Sequence, residues 1–273
     1  MKVVIFGSGG MLGTDLVETF RNYELYPLSK NEVDITSKKS VFENISKLKP
    51  DFIINAAAYT DVDGSNIHKN VALKANATAV KYLALASKKY GATLVHFSTD
   101  YVFDGRKKKG YTEESEGNPI NFYGLTKFKG EQYIQSICQK YYIIRTQWLF
   151  GKCGNNFVET IIQLSNEKKE IHVVDDQYGS PTYTKDLAKE VKNLISNYSY
   201  GVYHITNQGV CSWYDFAKLI VRLINTKTKV IRISSNKSNR LAKRPKYSIL
   251  VNTKIRDKMR DWQSALKDCL SNR

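Results

Sequence analysis

Three residues of the sequence have the types and spacing of a proton-transfer site. Tyr123 and Lys127 form a Tyr-x-x-x-Lys motif, and Thr99 lies upstream at the end of an apolar run. Positions i and i+4 of a helix share a face, so Lys127 is expected beside Tyr123. A phenol has an ordinary pKa near ~10, and a neighbouring ammonium group lowers it. We therefore expect Tyr123 to act as a general acid in carbonyl reduction, with Thr99 hydrogen-bonding the carbonyl oxygen.

A glycine-rich segment after the first apolar run forms a second candidate site. Gly7, Gly10 and Gly13 stand between Val3-Val4-Ile5-Phe6, which is typical of a buried strand, and a helical pattern. Glycine lets a backbone approach a pyrophosphate closely, and the free N–H groups of a helix N-terminus favour the anion. Three glycines can also serve a turn alone, so the strand–turn–helix context carries the interpretation. It predicts a nicotinamide dinucleotide here, whose oxidised ring would help Lys127 to lower the pKa of Tyr123.

The end of the second strand decides between the two nicotinamide dinucleotides. An acid at that position binds the ribose 2′-hydroxyl of NAD, whereas a cation accepts the 2′-phosphate of NADP. The stretch Tyr26-Pro27-Leu28-Ser29-Lys30 has no acid, and Asp34 comes late enough to suit an adenine contact better. Lys30 therefore favours NADPH, with NADH as the alternative. Asn55-Ala56-Ala57-Ala58, at the end of the third strand, offers small side chains where the nicotinamide ribose could lie.

Apolar runs and helical periods alternate along the first half of the chain. Strands are expected at five places: 3–6, 24–28, 51–55, 93–97 and 141–144. Strands that are buried on both faces and joined by helices form a parallel sheet. The expected fold is α/β, a Rossmann-like doubly wound parallel sheet with a smaller C-terminal substrate-binding lobe. Residues 1–150 would form the NAD(P)-binding domain, segments near 183–225 would return to it, and 151–273 would form mainly the lobe.

The charge balance is strongly basic. Lys and Arg number 42 against 26 Asp and Glu, a formal charge of +16. Nucleic-acid binding would use such a surface, but the one dense basic run, Arg106-Lys107-Lys108-Lys109, lies between glycines as an exposed loop would. No zinc-finger spacing, RNA-binding aromatic signature or basic heptad accompanies it. We expect no nucleic-acid partner, and a positive field that attracts small anionic ligands.

Hydrophobicity and cysteine usage narrow the class further. Hydrophobic residues make up 42% of the chain, which excludes wholesale disorder. No apolar run approaches the roughly 20 residues of a membrane span, and the first apolar run is too short for a signal peptide. The four cysteines (Cys138, Cys153, Cys211 and Cys269) are scattered, without a Cys-x-x-Cys pair. This pattern argues against a disulfide framework or structural zinc, and predicts a cytoplasmic location without a membrane partner.

Longer motifs carry a resemblance that covers nearly the whole chain. They are Asn55-Ala56-Ala57-Ala58-Tyr59-Thr60, Ser98-Thr99-Asp100-Tyr101-Val102-Phe103, Asn121-x-Tyr123-Gly124-x-Thr126-Lys127-x-x-Gly130-Glu131, Arg145-Thr146-x-Trp148, Asn155-Asn156-Phe157, Asp176-Gln177-Tyr178-Gly179-x-Pro181-Thr182 and Arg244-Pro245. With these motifs the chain resembles the dTDP-4-dehydrorhamnose reductases, a family of the extended short-chain dehydrogenase/reductases. The resemblance implies hydride transfer from the nicotinamide to C4 of a dTDP-linked 4-keto-6-deoxy sugar, with Tyr123 protonating the nascent alkoxide.

The resemblance also implies particular contacts. Besides Gly7, Gly13, Lys30, Tyr123 and Lys127, the residues expected to line the cofactor are Gly10, Met11, Leu12, Asp34, Ile35, Ala57, Ala58 and Tyr59. The residues expected to meet the sugar nucleotide are Thr99, Asp100, Trp148, Thr60, Val62, Asn156 and Arg244. Asp100 and Trp148 also have structural interpretations, as a helix cap and a core aromatic.

One departure from the family bears on metal and assembly. After Val62-Asp63 the family usually continues with an acidic stretch, but this chain has Gly64-Ser65-Asn66-Ile67-His68-Lys69. The acidic residues that some members use for a magnesium-bridged dimer are not evident. We therefore expect no metal, and a homodimer stays possible.

Several alternatives share these motifs. A related dehydratase places Glu directly after Thr-Asp, where this chain has Tyr101. An epimerase would hold an oxidised cofactor permanently, and a reductase of another sugar nucleotide could carry the same residues. A non-catalytic relative, the regulatory subunit of methionine adenosyltransferase, need not keep the set Thr99, Tyr123 and Lys127. Because that set is intact, the sequence favours the reductase.

Overall fold

The structure, a computed structural model, describes residues 1–238 and 240–271. The described strands are β1 (Lys2–Phe6), β2 (Glu24–Leu28), β3 (Phe52–Asn55), β4 (Thr93–Thr99), β5 (Tyr141–Thr146), β6 (Leu149–Phe150), β7 (Glu170–Val174), β8 (Tyr178–Gly179), β9 (Thr182–Tyr183), β10 (Gly201–His204), β11 (Cys211–Ser212) and β12 (Lys229–Ile233). The described α-helices are α1 (Met11–Thr19), α2 (Lys38–Leu48), α3 (Val62–Ile67), α4 (Lys69–Leu73), α5 (Ala79–Tyr90), α6 (Phe122–Ile137), α7 (Phe157–Glu167), α8 (Thr184–Asn197), α9 (Trp213–Leu223) and α10 (Trp262–Ser271). A π-helical turn, Lys74–Thr78, joins α4 to α5, and 3-10 turns cover Asp100–Val102 and Ser235–Lys237.

Six of the described strands form one central sheet. Their order is β10-β5-β4-β3-β1-β2, and every neighbouring pair is parallel. Apolar side chains fill both faces: α1 and α8 pack on one, and α2 and α5 on the other. All residues of β4 are buried, as expected for a strand covered on both sides. The doubly wound α/β fold predicted from the sequence is confirmed.

The strand register brings the candidate segments to one edge of this sheet. Phe6 pairs with Asn55, and Asn55 pairs with His96, so the ends of β1, β3 and β4 are adjacent. Ligands of open parallel sheets bind outside these carboxyl ends. The glycine-rich turn, the Asn55–Ala58 segment and Thr99 therefore lie at the same edge of the sheet.

The second half of the chain contributes to two layers. Helix α8 packs against α1, and β10 adds the sixth strand beside β5. Helices α7, α9 and α10 share a separate cluster with β7. The boundary near residue 150 stays a prediction, and residues 239, 272 and 273 of the predicted lobe lie outside the described residues. Among residues 1–238 and 240–271, no helix combines the length and apolar character needed to cross a membrane.

Candidate active site

The glycine-rich turn is shaped by contacts that exclude side chains. Gly7 has a left-handed backbone (φ 79°), and a Cβ there would lie 2.6 Å from the Ala57 nitrogen. A Cβ on Gly13 would collide with the Gly7 carbonyl oxygen. Gly10 begins α1 as its N-cap, and no side chain of the described residues caps the helix there. The first N–H groups of α1, at Met11, Leu12 and Gly13, are thus available to an anion, and this fits a dinucleotide pyrophosphate.

The segment after β3 is anchored by a side chain that the sequence did not single out. Asn76, on the π-helical turn and 1% exposed, accepts from Tyr59 N–H at 2.9 Å and donates to the Tyr59 carbonyl at 2.9 Å. The same amide donates to Thr126 Oγ1 at 3.1 Å, on the catalytic helix α6. Asn76 therefore fixes Ala57–Tyr59 relative to α6. The sequence signal that could have pointed to Asn76 is its polar side chain within an alanine-rich helical segment.

The end of β2 carries both an exposed cation and an acid. Lys30 is exposed two residues beyond β2, and half-buried Ile35 packs on the core beneath α2. Asp34 accepts from the Thr36 N–H and hydroxyl, both at 2.8 Å, and these bonds lower its pKa. Glu32 accepts from the Ser29 N–H at 2.7 Å. Residues 26–30 include no acid. The end of β2 nevertheless has a carboxylate beside it, because Glu32 folds back onto Ser29.

Helix α6 carries Tyr123 and is seated tightly against the segment after β4. Asn121 caps the helix by accepting from the Gly124 N–H at 2.8 Å and donates to the Lys243 carbonyl at 2.8 Å. A Cβ on Gly124 would collide with the Tyr101 carbonyl oxygen. This close approach brings the first turn of α6 to the end of β4, where Thr99 lies near enough to Tyr123 to oppose the rise in the pKa of its phenol. The Tyr123 ring also meets the edge of the Tyr101 ring, with centroids 5.9 Å apart.

Burial keeps the phenol of Tyr123 neutral. Burial, followed by the nearby Asp100 carboxyl, raises the pKa of Tyr123 above its ordinary value. The protein by itself therefore raises the pKa of Tyr123, whereas the Tyr-x-x-x-Lys motif predicted a lower pKa. A neutral phenol is the form that a proton donor needs at neutral pH. Thr99, 6% exposed, donates its hydroxyl proton to Asp100 Oδ1 at 2.9 Å.

Lys127 lies one turn beyond Tyr123 and is 3% exposed. Its Nζ donates to the Phe97 carbonyl at 2.6 Å and lies 3.5 Å from His96 Nε2. Burial lowers the pKa of Lys127 to about 8, and burial with Lys127 nearby lowers the pKa of His96. The Nδ1 of His96 lies 3.0 Å from Asn55 Nδ2, so a neutral His96 accepts from Asn55 and lies beside Lys127. His96 was not predicted, because a histidine in an apolar strand gives no functional signal by itself.

Trp148 lies in an aromatic stack at the start of the C-terminal lobe. Its ring is 3.6 Å from that of Trp213 and nearly parallel to it. A Cβ on Gly179 would lie 2.7 Å from the Trp148 ring, so glycine is needed beside it. Trp148 has a left-handed backbone (φ 48°), a strained conformation for a bulky residue that is found mostly where function requires it. Its predicted contact with sugar stays a prediction.

Asn156 is an N-cap whose amide bonds lie within its own loop. Its oxygen accepts from the N–H groups of Val158 and Glu159, and its nitrogen donates to the carbonyls of Gly151 and Gly154. The loop packs on Met11 at the start of α1. Asn156 thus orders this loop, and its predicted contact with the sugar nucleotide stays a prediction.

Arg244 forms a two-pronged ion pair with Asp63. The two nitrogen–oxygen distances are 3.1 and 2.9 Å, and the Arg244 bonds lower the pKa of Asp63 to about 2. Val62 begins α3 next to this pair, and Thr60 is exposed two residues earlier. The guanidinium already has a carboxylate partner, so its predicted diphosphate contact stays a prediction.

The fold and the site together define the class of the protein. A doubly wound sheet, an uncapped glycine-rich turn at its edge and a Thr99–Tyr123–Lys127 arrangement are the features of an extended short-chain dehydrogenase/reductase. The sequence model of the RmlD substrate binding domain matches residues 1–273. The chain therefore belongs to the RmlD substrate binding domain family.

Individual relatives agree with this family and confirm the resemblance inferred from the motifs. The chain is 38% identical over 277 residues to the spore coat polysaccharide biosynthesis protein SpsK of Bacillus subtilis, covering 100% of this chain and 98% of that protein. It is 38% identical to the dTDP-4-dehydrorhamnose reductase of Aggregatibacter actinomycetemcomitans, covering 98% and 97%. The crystal structure of dTDP-4-dehydrorhamnose reductase from Bacillus anthracis in complex with NADP is similar, with a TM-score of 0.97, 41% identity and coverage of 100% and 99%.

Proposed function

We propose that the chain catalyses the NADPH-dependent reduction of the C4 ketone of dTDP-4-dehydro-L-rhamnose to dTDP-L-rhamnose. The observation that carries the proposal is the arrangement at the end of β4. There the neutral phenol of Tyr123 lies near Thr99, and the buried ammonium of Lys127 lies one helical turn away. The name of the relative from Aggregatibacter actinomycetemcomitans and the NADP in the Bacillus anthracis structure support this substrate and cofactor.

Different residues of the chain have different roles in the reaction. NADPH supplies the hydride for the carbonyl carbon when it is bound. Tyr123 gives its phenolic proton to the carbonyl oxygen, since burial keeps that phenol protonated. Lys127, with a pKa of about 8, keeps most of its charge at neutral pH and lies one helical turn from Tyr123. Trp148 and Trp213 offer a flat apolar surface for the sugar nucleotide.

The cofactor form is expected to depend on Lys30. This exposed cation lies just beyond β2, where a ribose 2′-phosphate would be recognised, and Glu32 is already bonded to the Ser29 N–H. Binding titrations with NADPH and NADH test the preference, and tighter binding of NADH would refute it. A homodimer and a cytoplasmic location stay predictions.

The test is direct turnover. The purified chain is mixed with NADPH and dTDP-6-deoxy-L-lyxo-4-hexulose, which the preceding enzymes generate in situ, and nicotinamide absorbance is followed. We expect rapid loss of absorbance with dTDP-L-rhamnose as the product. NADPH binding without turnover would refute the proposal and would favour another ketosugar or a regulatory subunit.

A further inference from the structure

Asn55, His96 and Lys127 form a line of polar contacts from the end of β3 to α6. Asn55 Nδ2 lies 3.0 Å from His96 Nδ1, and His96 Nε2 lies 3.5 Å from Lys127 Nζ. The three side chains are buried, with exposed fractions of 1%, 0% and 3% in that order. Because buried polar groups need partners of the opposite hydrogen-bonding type, each group in the line constrains the next.

The alternation of side chains along β4 directs His96 to the face that α6 covers. Val95 and Phe97, on either side of His96, belong to the core that packs on α1 and α8. Successive side chains of a strand point to opposite faces, so His96 shares its face with Ile134 of α6. Asn55 pairs with His96 in the neighbouring strand β3, which places the two side chains next to each other.

The Ala57 N–H fixes the orientation of the Asn55 amide. This N–H donates to Asn55 Oδ1 at 3.2 Å. The opposite orientation would place the NH₂ group of the amide against the Ala57 N–H, so that two donors would face each other. The Asn55 oxygen therefore faces Ala57, and the Asn55 nitrogen donates to His96 Nδ1.

This donor decides which nitrogen of His96 carries the proton. An imidazole nitrogen that accepts a hydrogen bond carries no proton, so a neutral His96 has its single proton on Nε2. Burial, together with the nearby charge of Lys127, lowers the pKa of His96 and keeps the ring neutral. The Nε2–H therefore faces Lys127 Nζ at 3.5 Å.

An N–H group that faces the amine of Lys127 favours the uncharged form of that amine. The neutral amine has a lone pair for the His96 proton, whereas the ammonium form has three donors and no acceptor. Nζ also donates to the Phe97 carbonyl at 2.6 Å, and both forms of Lys127 can make this bond. His96 thus opposes the charge of Lys127 without removing the bond that holds Nζ at β4.

The other titratable neighbours of Lys127 lie on α6 and β5. Glu131, on α6, raises the pKa of Lys127 through its charge, and it is itself paired with Arg145 of β5 at 2.7 Å. Tyr123, one turn earlier on α6, stays neutral because burial raises its pKa. From β4, the titratable group that contacts Nζ is His96. A change at His96 therefore leaves the charges on α6 and β5 in place.

We propose that His96 is a positioning residue of the reduction, whose Nε2–H, directed by Asn55, weakens the affinity of Lys127 for its proton. The proposal rests on the proposed function, because Lys127 belongs to the site of that reaction. Two changes follow for the chemistry of the site. Removing the Nε2–H should make Lys127 a stronger base, and reversing the tautomer of His96 should do the same by turning Nε2 into an acceptor for the ammonium.

The first experiment determines the tautomer of His96 by NMR of protein labelled with ¹⁵N-histidine. The His96 signals are identified as those missing from His96→Asn. We expect the proton on Nε2 in wild type. In Asn55→Asp we expect it on Nδ1, because one carboxylate oxygen accepts from Ala57 and the other can only accept from His96. A proton on Nδ1 in wild type, or an unchanged tautomer in Asn55→Asp, would overturn the proposal.

The second experiment follows the charge of Lys127 in protein labelled with ¹³C at the lysine Cε, from about pH 6 to about pH 10. The Lys127 signal is the one missing from Lys127→Met. We expect a midpoint of about 8 in wild type. The asparagine of His96→Asn can still accept from Asn55 but has no group at the position of Nε2, so its midpoint should be higher by about one pH unit or more. His172→Asn, the same change at an exposed histidine, should titrate as wild type.

The outcomes separate the role of His96 from the reaction itself. An unshifted Lys127 midpoint in His96→Asn, or an equal shift in His172→Asn, would overturn the proposal. If His96→Asn does not fold by circular dichroism, Asn55→Asp replaces it: its Lys127 midpoint should also rise, and an unshifted midpoint would overturn the proposal.

Turnover adds a third readout. We expect kcat to fall as Lys127 loses its charge with rising pH, and this decline should move with the Lys127 midpoint in His96→Asn. A decline that stays in place while the midpoint shifts would overturn the role of His96 in the reduction. No turnover by the wild-type chain would refute the proposed function, whereas the two spectra, recorded without substrate, would still report the effect of His96 on Lys127.

Discussion

Replacing Lys127 by methionine should stabilise the protein while removing its activity. Burial lowers the pKa of Lys127 from its ordinary 10.5 to about 8. One pKa unit corresponds to 1.36 kcal/mol, so keeping this ammonium charged in the folded state at pH 7 costs about 3 kcal/mol. Methionine fills a similar volume but loses the 2.6 Å bond to the Phe97 carbonyl, which is worth about 1 kcal/mol. The net gain in the free energy of unfolding at pH 7 is about 2 kcal/mol.

The sign of this difference should change with pH. The folded pKa of Lys127 lies below the unfolded one, so between pH 8 and 10.5 the unfolded wild type binds more protons and wild-type stability rises with pH. By pH 10 the gain from Lys127→Met should vanish, leaving the variant less stable by up to about 1 kcal/mol. Urea unfolding at pH 7, 8, 9 and 10 measures the difference. Lys129→Met, an exposed change on the same helix, should stay within about 0.5 kcal/mol throughout. A destabilised Lys127→Met at pH 7, or a difference independent of pH, would refute the reasoning.

Three further changes test other parts of the structure. Gly13→Ala should weaken NADPH binding by about tenfold or more in a fluorescence titration, because its methyl group collides with the turn, whereas Gly9→Ala, with open space around its Cβ, should bind as wild type. Equal affinities would contradict the role of the turn. Arg145→Met leaves the carboxylate of Glu131 (0% exposed) without its cation, and it should lower the free energy of unfolding, measured in urea, by about 3–5 kcal/mol. A loss below about 1 kcal/mol, which is typical of an exposed ion pair, would contradict this expectation. Lys30→Ala should raise the Kd for NADPH about five- to tenfold and leave that for NADH unchanged; a parallel change in both would exclude 2′-phosphate recognition.

The sequence predicted the elements that depend on local pattern. The strands near 24–28, 93–97 and 141–144 were found because apolar runs bounded by helical periods are a local signal, and the observed β4 and β5 are only two residues longer. The short strands β6, β8, β9 and β11, of two residues each, gave no such signal. They exist because loops of the C-terminal lobe meet in three dimensions.

The site was predictable where motif spacing and topology coincide. Tyr123 and Lys127 share a helix face, and Thr99 ends the neighbouring strand, so their proximity follows from the fold. Partners from distant segments were not predictable: Asn76 holds Tyr59 from a π-helical turn. Likewise, the pairing of Arg244 with Asp63 could not be predicted, because the two residues lie 181 positions apart in sequence.

The hydrogen bonds that motif residues make within the protein were not predictable either, because they depend on how the loops close. Asn156 illustrates this, since its amide bonds both ends of a loop and begins α7. The backbone contacts that require an Asn at this point can be seen only when the loop is closed.

The most direct measurement follows deuterium from NADPH labelled at the transferable position of its nicotinamide. Wild type and Tyr123→Phe are each incubated with dTDP-6-deoxy-L-lyxo-4-hexulose, and the sugar nucleotide is isolated for mass spectrometry and NMR. We expect wild type to yield dTDP-L-rhamnose with deuterium at C4 of the sugar, and Tyr123→Phe to form it at least about 10²-fold more slowly while still binding NADPH. Unlabelled C4, or equal rates for the two proteins, would contradict hydride transfer to a ketone protonated by Tyr123.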